Sequence, residues 1–326
     1  MKVSVIIPTY KGSNKLSRAI QSVLQQDYPA KDIEIIVVDD NAPDSDERRL
    51  TEEVMKKYSD VIYLKHHKNL KGAQARNSGI KVATGDFISF LDDDDFMLKN
   101  RISDAVEFMK NVNDCDGVYC SVIILEKDKI VNKLHPKERL YWEDMLCNEL
   151  SIGTGSNIFL KKRCFDNINF DIDFLRNQDV EFMINILSKY KVYGINEIGL
   201  VKSGNGTINS LDYFKMKAVK QQLFKKYEYL TDAKDDSFKK QCEIFNAEYM
   251  FKFSKGSNYE GINDARKNLE RFRQLNFKEK AYLYILKFGI KNTFVGKIAY
   301  KLKQKKYTSI YDDKQKYSEI IKLYNI

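Results

Sequence analysis

The feature that most constrains the fold is an alternation of short β-branched runs with segments of helical periodicity, from Met1 to about Val201. The first run, Val3–Ile7, is apolar at nearly every position, as expected of a strand buried on both faces. Further strands are predicted at 33–38, 61–64 and 87–91, with helices at 16–24, 44–58 and 73–82 between them. This order predicts an α/β fold of Rossmann-like type, with a mostly parallel sheet flanked by helices.

The chain changes character near residue 210. Helices near 102–110 and 180–190 and strands at 117–125 and 156–160 extend the α/β pattern, but from Leu211 onward β-branched runs disappear. Lys, Tyr, Phe and Leu dominate there, which predicts an all-α region. We therefore expect an α/β domain at 1–210 and a helical, basic region at 211–326, a division that suits a chain of 326 residues.

Composition excludes several classes of protein. With 43% hydrophobic residues and only 4 Pro and 15 Gly, wholesale disorder and collagen-like structure are excluded. The net charge of +9 is concentrated between Arg271 and Lys306, where eleven basic residues face one acid, Glu279. The 5 cysteines are odd in number and lack metal-binding spacing, so we interpret them as reduced and mostly buried.

Neither a signal peptide nor a transmembrane helix is expected. The apolar run that follows Met1 is too short for a secretory signal, and no stretch of 18 apolar residues occurs. Together with the cysteine interpretation, this predicts a cytoplasmic protein.

Three predicted strands end in polar residues suited to a ligand site. They are followed by Pro8-Thr9-Tyr10, by Asp39-Asp40-Asn41 and by four consecutive aspartates, Asp92–Asp95. Ligands of open α/β sheets bind outside the carboxyl ends of the strands, so these groups should converge. Because adjacent carboxylates repel, a hard cation such as Mg²⁺ or Mn²⁺ is a natural partner for the aspartates. The alternative is a solvated turn that caps the next helix.

Lys71–Gly79 adds a basic group near the same edge. Arg76 lies one turn into the predicted helix, where its guanidinium suits either a phosphate or the acidic cluster. An ordinary surface salt bridge is the alternative interpretation.

Four motifs together resemble family 2 glycosyltransferases with the GT-A fold. They are Val3-Ser-Val-Ile-Ile-Pro-Thr-Tyr10, Ile36-Val-Val-Asp-Asp-Asn41, Gly72-Ala-Gln-Ala-Arg-Asn-Ser-Gly-Ile80 and Phe90-Leu-Asp-Asp-Asp-Asp-Phe96. The resemblance covers roughly residues 1–200 and implies that residues 1–210 form the nucleotide-sugar-binding catalytic domain. Residues 211–326 would then contact the acceptor, a membrane surface or another subunit.

The resemblance also implies roles for individual residues. Uracil of a UDP-sugar would be held by Pro8, Thr9, Tyr10 and Asp40, with Arg76 among the nucleotide-binding residues. The family's Asp-x-Asp motif falls on Asp92 and Asp94. Asp94 would bind Mn²⁺ or Mg²⁺ directly, with Asp92 and Asp93 supporting the metal, ribose or donor sugar.

The family's Glu-Asp pair is matched by Gln178-Asp179, which implies that Asp179 is the base of an inverting reaction. Gln178 departs from the common Glu, and a simple helix cap is the alternative role for Asp179. Gly153–Asn157, including Gly155 and Ser156, resembles the loop beneath the donor sugar, although a simple turn also explains it.

Two positions remain less defined. Many members of that family carry a further metal ligand in the region that corresponds to 202–207, but this region has no His here. The three histidines lie elsewhere, and we interpret His66, His67 and His135 as structural or surface residues. Trp142 is a candidate for the acceptor cleft, with core packing as the alternative.

The basic tail allows two interpretations. Phe294, Val295, Ile298 and Leu302 fall on one helical face flanked by lysines, as in an interfacial helix on anionic lipid. An ordinary helix packing on the first domain is the alternative. A membrane contact would suit a lipid-linked saccharide acceptor, in capsule, O-antigen or cell-wall polysaccharide synthesis.

Two other classes of function are alternatives. A catalytically idle nucleotide- or carbohydrate-binding homologue would explain Gln178 and the missing His. Nucleic-acid binding through the basic tail is disfavoured, because no nucleic-acid motif is present and the aspartates would repel a polyanion. We therefore expect a UDP-sugar and a saccharide as partners, and no nucleic acid.

Overall fold

The computed structural model describes residues 1–126, 129–147, 152–204, 212–255 and 257–287. Its first strands pair in parallel in the order β3-β2-β1-β4. These strands are β1 (Val3–Thr9), β2 (Ile33–Asp39), β3 (Ile62–Lys65) and β4 (Phe87–Phe90). The helices between them are α1 (Ser13–Leu24), α2 (Asp46–Met55) and α3 (Lys71–Val82). The α/β alternation predicted from the sequence is confirmed.

β1 is buried on both faces because its side chains enter two different cores. Val3, Val5 and Ile7 pack into the hydrophobic cluster that contains the buried face of α1. Ile6 packs into the other cluster, with Ala73 and other residues of α3. Full burial of such a side chain contributes about 1.5–3 kcal/mol, so an unbroken apolar run stabilises a central strand.

The remainder of the sheet is mixed rather than mostly parallel. Its strands are β5 (Phe96–Met97), β6 (Gly117–Glu126), β7 (Lys129–Leu134), β8 (Arg139–Leu140), β9 (Phe159–Lys161) and β10 (Val192–Gly204). β6 and β10 are parallel, but β9 runs antiparallel to both β4 and β6. β7 follows β6 too closely for the long crossover that parallel pairing needs, and it pairs antiparallel with β6.

The remaining described helices surround the sheet or follow it. They are α4 (Arg101–Asn111), α5 (Trp142–Leu146), α6 (Gln178–Leu187), α7 (Tyr213–Lys226), α8 (Glu228–Asp232), α9 (Asp236–Ser254), α10 (Tyr259–Glu270) and α11 (Phe277–Lys287). A helical C-terminal region is thereby confirmed. Among the described residues, every helix is too short or too polar to cross a membrane.

The chain divides into two compact units, Met1–Asn246 and Ala247–Ile326. Helices α7 and α8 belong to the first unit, which extends past the boundary at residue 210 that composition suggested. The second unit has its own buried side chains, including Phe251, Ile262 and Leu269. The amphipathic stretch at 294–302 lies outside the described residues.

The expectation that all cysteines are reduced is wrong for two of them. Cys147 and Cys242 form a disulfide across a sequence separation of 95 residues, with Cα atoms 4.7 Å apart. Nothing in their spacing signals this pairing, because only the packed fold brings the end of α5 beside α9. Cys115, Cys120 and Cys164 are buried free thiols, as expected.

Candidate active site

The end of β1 places three predicted nucleotide-binding residues, Pro8, Thr9 and Tyr10, at one edge of the sheet. Thr9 is buried, and its Oγ1 donates a hydrogen bond of 2.6 Å to Asp93 Oδ2. Pro8 and Tyr10 line the cavity next to it, with Tyr10 49% exposed. An exposed aromatic ring at a strand end is suited to stacking against a base.

Asp40 is buried and is held by the start of α3. Its Oδ1 accepts from the backbone N–H of Leu70 at 2.7 Å, and its Oδ2 accepts from that of Lys71 at 2.8 Å. His66 Nδ1 lies 2.8 Å from Oδ1, and the other ring nitrogen lies 2.9 Å from Ser78 Oγ. Oδ2 therefore retains a lone pair that can accept from a ligand.

His66 is a supporting residue that the sequence motifs did not assign. It lies directly after β3, at the same edge of the sheet as the ends of β1 and β2. That strand-end position is the signal that could have identified it. Its two hydrogen-bond contacts link Asp40 to α3, so the structural role expected for this histidine is supported.

The four consecutive aspartates have different partners. Asp92 Oδ1 pairs with Arg76 Nη2 at 2.5 Å, and Thr154 Oγ1 lies 3.2 Å from Asp92 Oδ2. Asp93 packs so closely on α1 that a Cβ at Gly12 would lie 1.9 Å from its Oδ2. Burial raises the pKa of Asp93 to about 6.

Asp95, to which the sequence analysis gave no role, is fully enclosed. It accepts from Ser156 Oγ at 2.7 Å, from Thr154 Oγ1 at 3.0 Å and from the backbone N–H of Ser203 at 3.1 Å. Burial, reinforced by the charges of Asp92 and Asp94, raises the pKa of Asp95 to about 7. This carboxyl group joins the loop around Ser156 to β10 through hydrogen bonds. The loop is therefore held by tertiary contacts and is more than a local turn.

Asp94 is the aspartate best suited to a metal ion. Its side chain is 40% exposed, and Lys15 Nζ lies 3.7 Å from Oδ2. Burial raises the pKa of Asp94, with Asp92 adding to the effect. Within the described ranges, no group of three or more acidic, His or Cys residues converges as a metal cage. A Mg²⁺ or Mn²⁺ that keeps water and phosphate ligands needs only one or two carboxylates, so Asp94 fits such an ion.

Arg76 connects the aspartates to the start of α6. While Nη2 binds Asp92, Nη1 donates to Gln178 Oε1 at 3.4 Å. Its guanidinium carbon also lies 5.5 Å from the centre of the Phe170 ring, a cation–π contact. The predicted Arg76, Asp92 and Gln178 are thus brought together.

Asp179 lies in the first turn of α6, and its Oδ1 accepts from the backbone N–H of Val180 at 3.0 Å. The helix begins at Gln178, and the cap residue is Asn177, which adopts a left-handed conformation with φ 55°. The Asp179 Cβ lies 3.7 Å from the position of a Cβ built on Gly155. The candidate base therefore stands over the loop that was expected to underlie the donor sugar.

A buried lysine from α7 stands near the candidate base. Lys220 is 5% exposed, and burial lowers its pKa to about 8, while the charge of Asp179 acts in the opposite direction. No sequence pattern predicts a role for Lys220, because it lies in the region predicted only as helical.

Two adjoining cavities meet at Gly72, Arg76 and Asp92. The smaller, of about 260 Å³, is lined by Pro8, Thr9, Tyr10, Asp40, Gly72, Ala75, Arg76, Asp92, Asp93 and Asp94. The larger, of about 530 Å³, is lined by Lys71, Gly72, Arg76, Asp92, Thr154, Gly155, Leu175, Arg176, Asn177, Gln178, Asp179 and Lys202. Their total volume falls in the range of small-molecule sites.

Two of the predicted site residues line neither cavity: Ser156, which is fully buried and donates to Asp95, and Trp142. The Trp142 ring packs edge-on against Phe238 at 5.8 Å and lies beneath Lys234, against the hydrophobic core. The core-packing alternative therefore describes Trp142. In the region 202–207, Lys202 lines the larger cavity, whereas residues 205–207 lie outside the described part of the chain.

Residues 4–172 match the model of the family described as Glycosyl transferase family 2, which is just over half of the chain. The chain belongs to glycosyl transferase family 2. The prediction that it is a glycosyltransferase is confirmed.

Several curated proteins are similar to this glycosyltransferase. A Campylobacter jejuni GalNAc(5)-diNAcBac-PP-undecaprenol β-1,3-glucosyltransferase is 27% identical over 87% of this chain and 92% of its own length. The Escherichia coli protein WfgD, a UDP-Glc:α-D-GlcNAc-diphosphoundecaprenol β-1,3-glucosyltransferase, is 29% identical over 68% of this chain and 83% of its own. The Staphylococcus aureus poly(ribitol-phosphate) β-N-acetylglucosaminyltransferase TarP is 31% identical over 60% of each chain.

Two solved structures share the fold. S. aureus TarS 1–349 in complex with UDP-GlcNAc superposes with a TM-score of 0.62 at 18% identity, covering 84% of this chain and 82% of that one. The Pyrobaculum calidifontis mannosyltransferase PcManGT, in complex with GDP-Man and Mn²⁺, gives 0.57 at 15% identity, covering 95% and 86%. The predicted GT-A fold is confirmed by these likenesses.

Proposed function

We propose that this glycosyltransferase transfers a sugar from a UDP-sugar to a saccharide acceptor, in a metal-dependent reaction that inverts the anomeric carbon. The observation that carries the proposal is the pair of cavities joined at Arg76 and Asp92. The smaller is lined by the residues expected to hold a nucleotide, and the larger contains Asp179.

The smaller cavity suits the nucleotide. Asp40 Oδ2 is positioned to accept from a uracil N–H, and the exposed ring of Tyr10 provides a stacking surface. UDP or UDP-GlcNAc bound to S. aureus TarS supports uridine as the base, whereas GDP-Man bound to PcManGT makes guanosine the competing possibility.

The diphosphate would lie where the cavities meet. Asp94 and Asp92 would hold Mn²⁺ or Mg²⁺ there, and such an ion neutralises charge on a leaving diphosphate. The Mn²⁺ bound to PcManGT supports this use of metal. Arg76 orients Asp92 by their salt bridge and presents positive charge toward both cavities.

Asp179 would take the proton from the acceptor hydroxyl. The hydroxyl oxygen forms a bond to the anomeric carbon while the bond from that carbon to the UDP oxygen breaks, and UDP leaves with the bonding electrons. The attack comes from the face opposite UDP, so the configuration inverts in one displacement. Proton transfer of this kind contributes about 10²–10⁴-fold.

A lipid-linked saccharide is the acceptor class that we propose, in the synthesis of a capsule, O-antigen or cell-wall polymer. The names of the C. jejuni and E. coli relatives specify acceptors on undecaprenol carriers, which supports this class. Such acceptors favour a cytoplasmic enzyme lying on the inner face of the membrane. The basic region at 211–326 would provide the membrane or acceptor contacts.

A donor panel tests the proposal. UDP-glucose, UDP-GlcNAc, UDP-galactose and GDP-mannose are each incubated with the protein and Mn²⁺, Mg²⁺ or EDTA, and nucleotide release is measured by mass spectrometry. We expect UDP release from one UDP-sugar, stimulated by metal. Release of GDP alone would contradict the uridine assignment, and equal release in EDTA would contradict metal dependence.

A further inference from the structure

The buried face of α7 contains a lysine. The buried side chains of this helix recur at helical spacing and are Tyr213, Met216, Lys220 and Leu223. Lys220 is 5% exposed and is the charged member of this set. Burial of an ammonium group costs free energy unless a group of opposite charge lies near it. A carboxylate is therefore expected close to Lys220.

Contacts on either side of Lys220 place it against the start of α6. Met216, one turn before Lys220, accepts a hydrogen bond at Sδ from Asn177 Nδ2 at 3.8 Å. Tyr227, two turns after Lys220, donates from its hydroxyl to Glu181 Oε1 at 2.6 Å. Asn177 is the cap residue of α6, and Glu181 lies in its first turn. Lys220 is therefore enclosed between two contacts of α7 with this turn.

Asp179 is the carboxylate that attracts Lys220. The acidic residues in the first turn of α6 are Asp179 and Glu181. Glu181 is paired with Lys226, whose Nζ lies 2.7 Å from Oε1. Burial lowers the pKa of Lys220 to about 8, and the negative charge of Asp179 opposes that effect. The electrostatic interaction thus joins a buried cation of α7 to the candidate base.

We propose that Lys220 is a positioning residue, whose buried ammonium group holds the Asp179 carboxylate in place on the wall of the larger cavity. Asp179 lines that cavity, whereas Lys220 is absent from the lining of both cavities, so the lysine acts on the base and not on the substrate. A base must lie within hydrogen-bond reach of the proton that it takes, so a fixed carboxylate favours the transfer. This inference rests on the proposed function, because it takes Asp179 as the base.

A lysine that only supported the fold would affect stability differently. Because the pKa of Lys220 is lowered from 10.5 to about 8, its charge destabilises the folded state below about pH 8, and this cost disappears as the pH rises toward 10.5. Lys220→Met keeps an unbranched side chain and removes the charge. At pH 7 it should therefore leave Tm unchanged or raise it, while turnover falls. A lower Tm with unchanged turnover would show a structural role and overturn the proposal.

The attraction between the two side chains can be measured without an activity assay. The Cε resonance of Lys220, assigned by its absence from Lys220→Met, is followed by NMR as a function of pH in the wild type and in Asp179→Asn. We expect a lower pKa of Lys220 in Asp179→Asn, because the attracting charge is lost. Asp173→Asn, an exposed substitution in the loop before α6, should leave the titration unchanged. The same pKa of Lys220 in Asp179→Asn and in the wild type would overturn the proposal.

Steady-state kinetics tests whether the attraction serves the reaction. UDP release is measured for the wild type, Lys220→Met, Asp179→Asn and the double variant, with the donor and metal chosen by the panel above. N-acetylglucosamine linked to farnesyl diphosphate is the acceptor. Lys220→Met should lower kcat by about 10–100-fold, as expected for a lost charged contact, and leave the KM for the donor unchanged. In the Asp179→Asn background it should cause no further loss, because the lysine acts through that carboxylate.

Two further variants complete the kinetic test. Lys220→Arg keeps the positive charge and should retain more turnover than Lys220→Met. Lys225→Met removes an exposed lysine of the same helix and should match the wild type. Unchanged kcat in Lys220→Met, or an equal loss in both backgrounds, would overturn the proposal. No transfer by the wild type, or full turnover in Asp179→Asn, would instead contradict the proposed function.

Discussion

Arg76 binds Asp92 through a salt bridge of 2.5 Å between Nη2 and Oδ1, and the same guanidinium reaches Gln178 at the start of α6. One side chain therefore links the aspartates after β4 to the helix that carries Asp179. Arg76 also lines both cavities, so we expect its position to affect both the proposed donor site and the proposed base.

Replacing Arg76 by Gln should lower kcat/KM for the UDP-sugar by about 10–100-fold, since a charged hydrogen bond contributes about 1.5–3 kcal/mol. Steady-state kinetics with varied donor measures the effect. Arg49→Gln is the control, because Arg49 pairs with Asp46 on the exposed surface. An unchanged kcat/KM in Arg76→Gln would show that this guanidinium does not serve the donor.

Asp179→Asn should lower kcat by about 10²–10⁴-fold, because an amide cannot take the proton from the hydroxyl group of the acceptor saccharide. UDP affinity, measured by calorimetry, should be unchanged, since Asp179 lines only the larger cavity. Asp173→Asn, an exposed substitution in the preceding loop, is the control. A comparable loss of UDP affinity in Asp179→Asn would mean that its role is misassigned.

Ser156→Ala should lower the free energy of unfolding by about 1–3 kcal/mol, the cost of leaving buried polar groups unsatisfied. The hydroxyl donates to Asp95 and accepts from the backbone N–H of Asp92, so two bonds are lost. Urea denaturation measures the change. Ser103→Ala is a surface comparison, because Ser103 Oγ binds Asp27 in an exposed position. Equal free energies of unfolding for the two variants would contradict a stabilising role for the hydrogen bonds of Ser156 with Asp95 and Asp92.

Glu34 should make the free energy of unfolding depend on pH in the acid range. Burial raises its pKa, but hydrogen bonds from Lys2, Ser4 and Thr84 outweigh this and lower it from 4.5 to about 2. A carboxyl with a lowered folded-state pKa stabilises the fold above its unfolded pKa, and that stability is lost as pH falls from about 4.5 to about 2.

Urea denaturation should therefore show that the wild type loses more stability than Glu34→Gln between about pH 5 and pH 2.5, by roughly 2–3 kcal/mol. Glu53→Gln, at an exposed position, should follow the wild type. Parallel pH profiles of the wild type and Glu34→Gln would exclude this contribution.

The sequence predicted the first four strands and three helices well, because each strand is an apolar run and each helix has a buried stripe. It predicted the convergence of Thr9, Asp40, Arg76 and the aspartates, since parallel strands place their carboxyl ends at one edge. It predicted a strand at 156–160 but not that β9 runs antiparallel to β4, because the direction of a strand depends on the path of the chain and not on the local pattern of residues.

Other features depend on contacts that no local pattern encodes. Three of these contacts join residues that are remote in sequence: the disulfide between Cys147 and Cys242, the approach of buried Lys220 to Asp179, and the hydrogen bond between His66 and Asp40. The chemistry of Trp142 allowed either the acceptor cleft or core packing, and its contact with Phe238 shows core packing. Side-chain chemistry indicates what a residue can do, whereas tertiary packing determines where it does so.

The account depends on a uridine nucleotide occupying the cavity between β1, β2 and the aspartates. The most direct measurement is a crystal structure of the protein soaked with UDP and Mn²⁺. Uracil should lie against Tyr10 and Asp40, with Mn²⁺ joining Asp94 to the diphosphate near Arg76. A nucleotide bound at another place, or that cavity empty at saturating UDP, would contradict the assignment of the donor site.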